Sequence, residues 1–356
     1  MQKKWILFLA AACLYVATVA KPKQPKRIVF LIGDGMGLTQ ISGAMAHYTG
    51  RNAFERFPVI GLSKTASSDN WVTDSGAGAT VFSIGKKTFN GAIGVDSLGK
   101  ESPNIFELIK PLGWRTGVVA TSSVTHATPA SFYAHVPSRK SEDAIADFLS
   151  RGTCDVAIGG GIKFFKNRAD KRDLFAELQT KGFTCIANTE LQTVAAPKLI
   201  YVCDSNGMKT MEQGRGDFLA KATRLAQSNL LLDNKKKNYF LMVEGSQIDW
   251  GGHDNLFEYM KAELIDFNEV INQVLDEAIR DGNTLVVVTA DHETGGLSLI
   301  ENKENKSTFK VHYSTGGHSG VMVPVFAYGP GAELFSGIYE NTEIFHKFCK
   351  LMGLKK

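Results

Sequence analysis

The sequence predicts an α/β fold built on a mostly parallel sheet with both faces covered. Two observations carry this. Six short apolar runs, at residues 27–32, 116–120, 155–158, 239–243, 284–289 and 323–328, are rich in Val, Ile, Leu and Phe with little alternation, the pattern of strands buried on both faces. Helical periodicity fills the stretches between them, at residues 141–150, 171–181, 217–232 and 259–280, and strands alternating with helices select a parallel sheet. The chain has 356 residues, 44% of them hydrophobic, enough for a sizeable core. No repeat, low-complexity tract or linker divides residues 21–356, which read as one domain.

The first residues, MQKKWILFLAAACLYVATVA, precede that domain. Lys3 and Lys4 form a basic start, an apolar run follows, and Thr18-Val19-Ala20 supplies a small-residue cleavage site. This reads as a secretory signal peptide over residues 1–20. The run is short for a membrane span of roughly 20 residues, and a lipoprotein-type cleavage at Cys13 matches poorly. No later segment is long and apolar enough to cross a membrane. The expected destination is the periplasm or the cell exterior. Export leaves Cys154, Cys185, Cys203 and Cys349. Their even number permits disulfides in an oxidising compartment, and buried free thiols fit equally well; without a CxxC pair, thiolate zinc is not indicated. The net charge of +4 is spread along the chain, with only short clusters such as Lys235-Lys236-Lys237, so nucleic-acid binding is not expected.

The strand ends carry the chemistry. IVFLIGDGMG ends its apolar run in Asp34; YFLMVEGSQIDWGGHDN ends in Glu244, with Asp249 and His253 just beyond; TLVVVTADHETGG ends in Asp291-His292; and STGGHSG, with His318, precedes VPVFAYG. Ligands bind at the carboxyl edge of such sheets. A single Asp after a strand is commonly a helix cap, and a single His a satisfied core or surface residue. Three His and several carboxylates delivered together, without cysteine, match zinc and magnesium instead. Asp249 and His253 are four apart, so one helical turn would face both at one ion.

Ser75, in DNWVTDSGAGATVFSIG, sits before a run of tiny residues. Alone it would be a turn or a cap. A helix starting there would aim free N–H groups at an anion, and Gly76-Ala77-Gly78-Ala79 would keep side chains clear. A serine hydroxyl needs a base or a metal to become a nucleophile. Beside a metal cluster, Ser75 reads as a phosphate-accepting nucleophile.

In chain order, IGDGMG, VTDSGAGAT, THATPASFYAHVPSRK, VEGSQIDWGGHDN, TADHETGG and STGGHSG resemble the alkaline phosphatases, and the compact bacterial type in particular, because no long insertion separates His292 from His318. The resemblance implies a three-layer α/β/α fold with a small crown region, and a homodimer. It implies a phosphomonoesterase of broad range with two zinc ions and one magnesium per chain. Asp34 would bridge the second zinc and the magnesium. Asp291 and His292 would complete the second zinc site, with Ser75 as its fourth ligand in the free enzyme. Asp249, His253 and His318 would hold the first zinc, and Glu244 and Thr128 the magnesium. Arg139 would grip two phosphate oxygens, steered by Asp74. By themselves, an Arg in a loop is usually a surface charge and Thr128 before Pro129 a turn residue, so those two roles rest on the resemblance.

Two positions depart from the enteric bacterial pattern: His126 replaces an aspartate and Trp250 a lysine. His126 would either ligate the third metal, favouring zinc there, or hydrogen-bond around it, which is the preferred reading. Trp250 would border the substrate pocket or pack beneath its rim. Two other functions share parts of this pattern. A phosphodiesterase or sulfatase of the same superfamily would share the metal ligands, but Ser75 with Arg139 favours a monoesterase. A phosphate-binding protein without turnover would need neither the nucleophile nor a complete first-zinc set.

Overall fold

Residues 23–166 and 168–354 are described by a computed structural model. Its strands are β1 (Arg27–Gly33), β2 (Val59–Lys64), β3 (Arg115–Ser123), β4 (Val156–Gly160), β5 (Thr184–Ala187), β6 (Leu199–Val202), β7 (Tyr239–Gly245), β8 (Thr284–Thr289), β9 (Glu293–Thr294), β10 (Leu297–Glu301), β11 (Phe309–Tyr313), β12 (His318–Ser319), β13 (Val323–Tyr328) and β14 (Gly337–Glu340). Its α-helices are α1 (Leu38–Ala46), α2 (Ser75–Ile84), α3 (Ile105–Ile109), α4 (Ala127–Ala130), α5 (Glu142–Leu149), α6 (Leu174–Thr180), α7 (Phe218–Leu231), α8 (Gln247–His253), α9 (Phe257–Asp281) and α10 (Thr342–Met352). The expected signal peptide lies outside the described residues, and among the described residues no helix is long and apolar enough to cross a membrane.

Ten strands form one sheet in the order β14-β2-β13-β8-β1-β7-β3-β4-β6-β5. The pairs β1–β7, β1–β8, β3–β7, β3–β4, β4–β6, β5–β6 and β2–β14 are parallel. Strand β13 runs antiparallel to both its neighbours, β8 and β2. Its beginning therefore lies where its neighbours end, which brings His318, just upstream, to the carboxyl edge.

All six expected strands are present, and four begin or end one to three residues away from the reading. The four expected helices are also present, trimmed or extended at their ends. Strands β2, β5, β6, β9, β10, β11, β12 and β14 and helices α1, α3, α4 and α10 were not anticipated. The reason is local. Strands β5, β6 and β14 have four residues each, too few to show a period, and α1 carries Ser42 and Gly43, poor helix formers.

Alternate residues of β1 feed two cores, as a sheet covered on both faces requires. Ile28, Phe30 and Ile32 pack with residues of α2, α3, α5, α6 and α10. Val29 and Leu31 pack with residues of α1, α7 and α9. This is the expected three-layer α/β/α arrangement. Phe30 lies edge-on to Phe82 of α2 at 5.4 Å and to Phe348 of α10 at 5.1 Å. Each buried Phe contributes about 1.5–3 kcal/mol, and the contact fixes α2 against β1. The start of α2 and the end of β1, three residues beyond Phe30, are thereby held in register. Cys154 packs on one face of the sheet and Cys203 on the other, and all four described cysteines are free thiols.

Candidate active site

Helix α2 starts at Ser75, with Asp74 as its N-cap. The Asp74 carboxylate accepts from Ala77 N at 3.0 Å, from Gly91 N at 2.8 Å and from Arg139 Nη1 at 3.0 Å. One side chain thus caps the helix, ties down a loop and aims a guanidinium. Burial pushes its pKa up, but these donors outweigh it and hold Asp74 below the ordinary carboxylate value. All ten residues of α2 are buried. The tiny residues have a packing reason: a Cβ on Gly78 would come within 3.0 Å of Asp291 Cβ, so a larger side chain would push α2 away from the end of β8.

Three groups of ligand-type atoms converge beside Ser75, each with its atoms within 4.8 Å of one another: Asp249, His253 and His318; Asp34, Asp291 and His292; and Asp34, His126 and Glu244. Asp249 and His253 share α8, four residues apart, and His318 arrives on β12, which pairs with β9. Asp34, Glu244 and Asp291 cluster at the carboxyl ends of the adjacent strands β1, β7 and β8. Gly35 follows Asp34 at φ +72°, and a Cβ there would lie 2.8 Å from the Asp249 backbone. Only glycine lets α8 descend this close to the sheet edge.

Backbone partners fix the imidazole tautomers. His253 Nδ1 faces the Gly316 carbonyl at 2.8 Å, and His318 Nδ1 faces the Thr73 carbonyl at 2.8 Å. Both Nδ1 atoms must donate, so the neutral form of each ring carries its lone pair on Nε2, and these two nitrogens face each other at 3.1 Å. Thr294 Oγ1 donates to Asp249 and lies 3.2 Å from His292 Nδ1, so the hydroxyl accepts from that ring. His292 Nε2 is then a lone pair as well, 3.2 Å from Ser75 Oγ, 3.2 Å from Asp291 Oδ2 and 3.4 Å from Asp34 Oδ1.

The unpaired atoms tell the same story. Both Asp34 oxygens, Asp291 Oδ2, Glu244 Oε1, Thr128 Oγ1 and His126 Nδ1 are buried without a hydrogen-bond partner. Burial, then the neighbouring carboxylates, raises Asp34 well above its ordinary range. Burial raises Asp291 to about 6 and Glu244 to about 7. Burial also lowers His292 and His318 to about 4, keeping both rings neutral. Asp249 is the exception: burial works against its charge, but His253, His292 and His318 hold it below the usual carboxylate range. Its bond to His253 lifts that ring to about 9. Buried carboxylates facing imidazole lone pairs cost several kcal/mol unless cations fill the space. The donor set fits bound metal.

Arg139 joins the cluster through His126, whose Nε2 lies 3.2 Å from Arg139 Nη2. The guanidinium donates, so a neutral His126 carries its proton on Nδ1. Burial, then Arg139, lowers His126 to about 3. Trp250 stands one position after Asp249 but packs elsewhere: its ring meets His126 edge-on at 6.2 Å and lies against Gly207, where a Cβ would be 2.8 Å from Trp250 Cη2. Thr294 was missed from sequence although it lies in the quoted TADHETGG, because a hydroxyl two residues after a histidine carries no signal of its own. Glu293, which accepts from Gln40 and Ser319, was missed for the same reason.

The chain has known relatives. The sequence family described as alkaline phosphatase matches residues 25–310 and 299–354. Alkaline phosphatase 3 of Bacillus subtilis is 33% identical over 92% of this chain and 89% of its own. The alkaline phosphatase of the Antarctic bacterium TAB5 superposes with a TM-score of 0.90 at 46% identity, over 94% of this chain and 100% of that one. A histidine-to-aspartate variant of that protein, solved with Mg bound in the M3 site, gives a TM-score of 0.89 at 45% identity over the same shares.

Proposed function

The chain belongs to the alkaline phosphatase family and is a phosphoric monoester hydrolase, and from that premise we propose that Ser75 takes the phosphoryl group from a broad range of monoesters, in a site served by two zinc ions and one magnesium ion. The observation that carries the reading is Ser75 Oγ, 3.2 Å from His292 Nε2 at the amino end of α2. Asp249, His253 and His318 would hold one zinc. Asp34, Asp291 and His292 would hold the other, with Ser75 as fourth ligand. Nitrogen and carboxylate donors without sulfur suit zinc in both. Asp34, Glu244 and Thr128 offer oxygen alone, which suits magnesium. When bound, these cations would reverse the sign of the pocket, draw a proton off a hydroxyl or water, and neutralise the attacking and departing oxygens.

The chain's own groups do the rest. The Ser75 hydroxyl, directed at His292, is set to attack phosphorus in line and carry the phosphoryl group as phosphoserine. The amino end of α2 presents partial positive charge to the same point. Arg139, fixed by Asp74 on one nitrogen and His126 on the other, keeps a second N–H on each for two phosphate oxygens. His126 is read as a hydrogen-bonding neighbour of the magnesium, since the proton on Nδ1 makes it a donor. The Antarctic protein's variant, with aspartate in place of a histidine, binds magnesium in its M3 site, which supports a third metal position. The basic, apolar start of the sequence supports export to the periplasm or beyond, and family membership supports a homodimer.

The test is acid quenching during turnover of a phosphate monoester by the zinc- and magnesium-loaded protein. A phosphoryl group on the peptide containing Ser75 is expected, and its absence in Ser75→Ala, with turnover lower by several orders of magnitude. Equal phosphoenzyme in wild type and Ser75→Ala would overturn the assignment.

A further inference from the structure

Trp71 lies four residues before Ser75 and is 77% exposed. Its indole is seated on Gly320, two residues after His318: a Cβ at Gly320 would come within 2.7 Å of Trp71 Nε1. Thr73, two residues after Trp71, gives its carbonyl to His318 Nδ1. The ring therefore stands at the mouth of the group formed by Asp249, His253 and His318. Val321 and Met322, 52% and 41% exposed, continue the apolar surface just beyond Gly320. The loop beneath the ring is fixed in advance. Ser67 N bonds Asn70 O at 3.0 Å, Val72 N bonds Asn70 Oδ1 at 3.0 Å, and Asn90 Nδ2 bonds Val72 O at 3.0 Å.

The site has a closed side and an open side. Asp34, Asp291, His292 and Ser75 are essentially buried, whereas the His253 side chain is 39% exposed. In-line displacement puts the departing oxygen opposite the attacking one. With Ser75 attacking from the closed side, the alcohol departs on the open side, past His253 and His318, where Trp71 stands. We propose that Trp71 is a subsite for the alcohol part of the ester, and that it favours aromatic leaving groups such as phenols or nucleosides by stacking them on the indole. This rests on the reading of Ser75 as nucleophile. A rigid aromatic platform loses little conformational entropy on binding, and aromatic pairs add a modest free energy beyond area burial.

The experiment measures kcat/KM for phenyl phosphate and for glycerol 2-phosphate with the metal-loaded wild type, Trp71→Ala and Trp71→Phe. In Trp71→Ala the phenyl-to-glycerol ratio should fall roughly five- to tenfold, and Trp71→Phe should restore most of it. An unchanged ratio in Trp71→Ala, or an equal loss on both esters, overturns the subsite. A smaller particle mass in solution with an unchanged ratio would make Trp71 a contact with a second copy of the chain and also overturns it. Failure of the wild type to turn over either ester would instead overturn the phosphoserine reading beneath it.

Discussion

His253 Nε2 and His318 Nε2 lie 3.1 Å apart, because each ring donates its Nδ1 proton to a backbone carbonyl and turns its other nitrogen to the same point. Sixty-five residues separate them in the chain. Asp249 lifts the His253 ring to about 9, so a proton on His253 Nε2 bridges the pair in the metal-free protein, and a bound cation would take that proton's place with Asp249 as its counter-charge.

His318→Ala should therefore lose about one zinc per chain, while Asp34→Ala should disturb the other two metals together, since Asp34 belongs to both remaining groups. Elemental analysis of protein dialysed against trace zinc and magnesium checks both. Unchanged zinc in the His318 variant would mean that the first group is not a metal site.

Thr294 couples two of the groups, donating to Asp249 and accepting from His292. Thr294→Val leaves a buried imidazole N–H without a partner, a loss of about 1–3 kcal/mol, and frees Asp249 to turn. Metal affinity should drop 10- to 100-fold, with turnover recovered by excess zinc, and Thr294→Ser should retain most of both. Competition with a chromogenic chelator measures the affinities. Wild-type affinity in Thr294→Val would leave the hydroxyl without a positioning role.

Trp250 borders the site through His126 and not through the metals. A lysine in its place would bring a cation toward a bound phosphate dianion, a contact worth roughly 1.5–3 kcal/mol. The inhibition constant for inorganic phosphate should fall about tenfold in Trp250→Lys. Because the two rings touch at 6.2 Å, Trp250→Lys combined with His126→Asp should depart from the sum of the single changes. Phosphate inhibition across the four proteins, at one pH and metal load, decides it. Unchanged affinity in Trp250→Lys would confine the indole to packing on Gly207.

Away from the metals, His135 is buried between Gly94 O at 2.6 Å and Glu107 at 3.1 Å. Burial favours the neutral ring, but the Glu107 bond prevails and raises His135 above its ordinary 6.5. Burial likewise opposes the Glu107 charge, and the His135 bond prevails to lower it below 4.5. A raised histidine stabilises fully below its unfolded value and loses that contribution as pH rises through the folded one. A lowered carboxylate stabilises above its unfolded value and loses it as pH falls. The two windows overlap between 4.5 and 6.5. The stability difference between wild type and His135→Gln should peak there at about 1 kcal/mol, discounted for the partly exposed Glu107, and shrink toward pH 9. Urea unfolding across that range measures it, and a flat difference would mean that the pair carries no net charge interaction.

Some of this architecture is written locally. Three of the apolar runs, at residues 27–32, 239–243 and 284–289, led into the carboxylates and imidazole that the structure places at the sheet edge, and His318 preceded a fourth. The spacing of Asp249 and His253 alone put them on one helical face, and the run of small residues after Ser75 suggested a helix start there, although the Asp74 cap emerged only in the structure. Side-chain periodicity depends on residues within four or five positions, so the sequence by itself settled it. The meeting of His318 with His253, and of Thr294 with Asp249, was decided only by the tertiary structure. It depends on β13 running against its neighbours and on Gly35 letting α8 come down on the sheet. The same holds for the cysteines: Cys154 and Cys203 lie on opposite faces of one sheet, which an even count could not reveal. Contacts across tens to hundreds of residues follow strand order and layer, and these minimise the free energy of the whole core, so no short stretch of the chain encodes them.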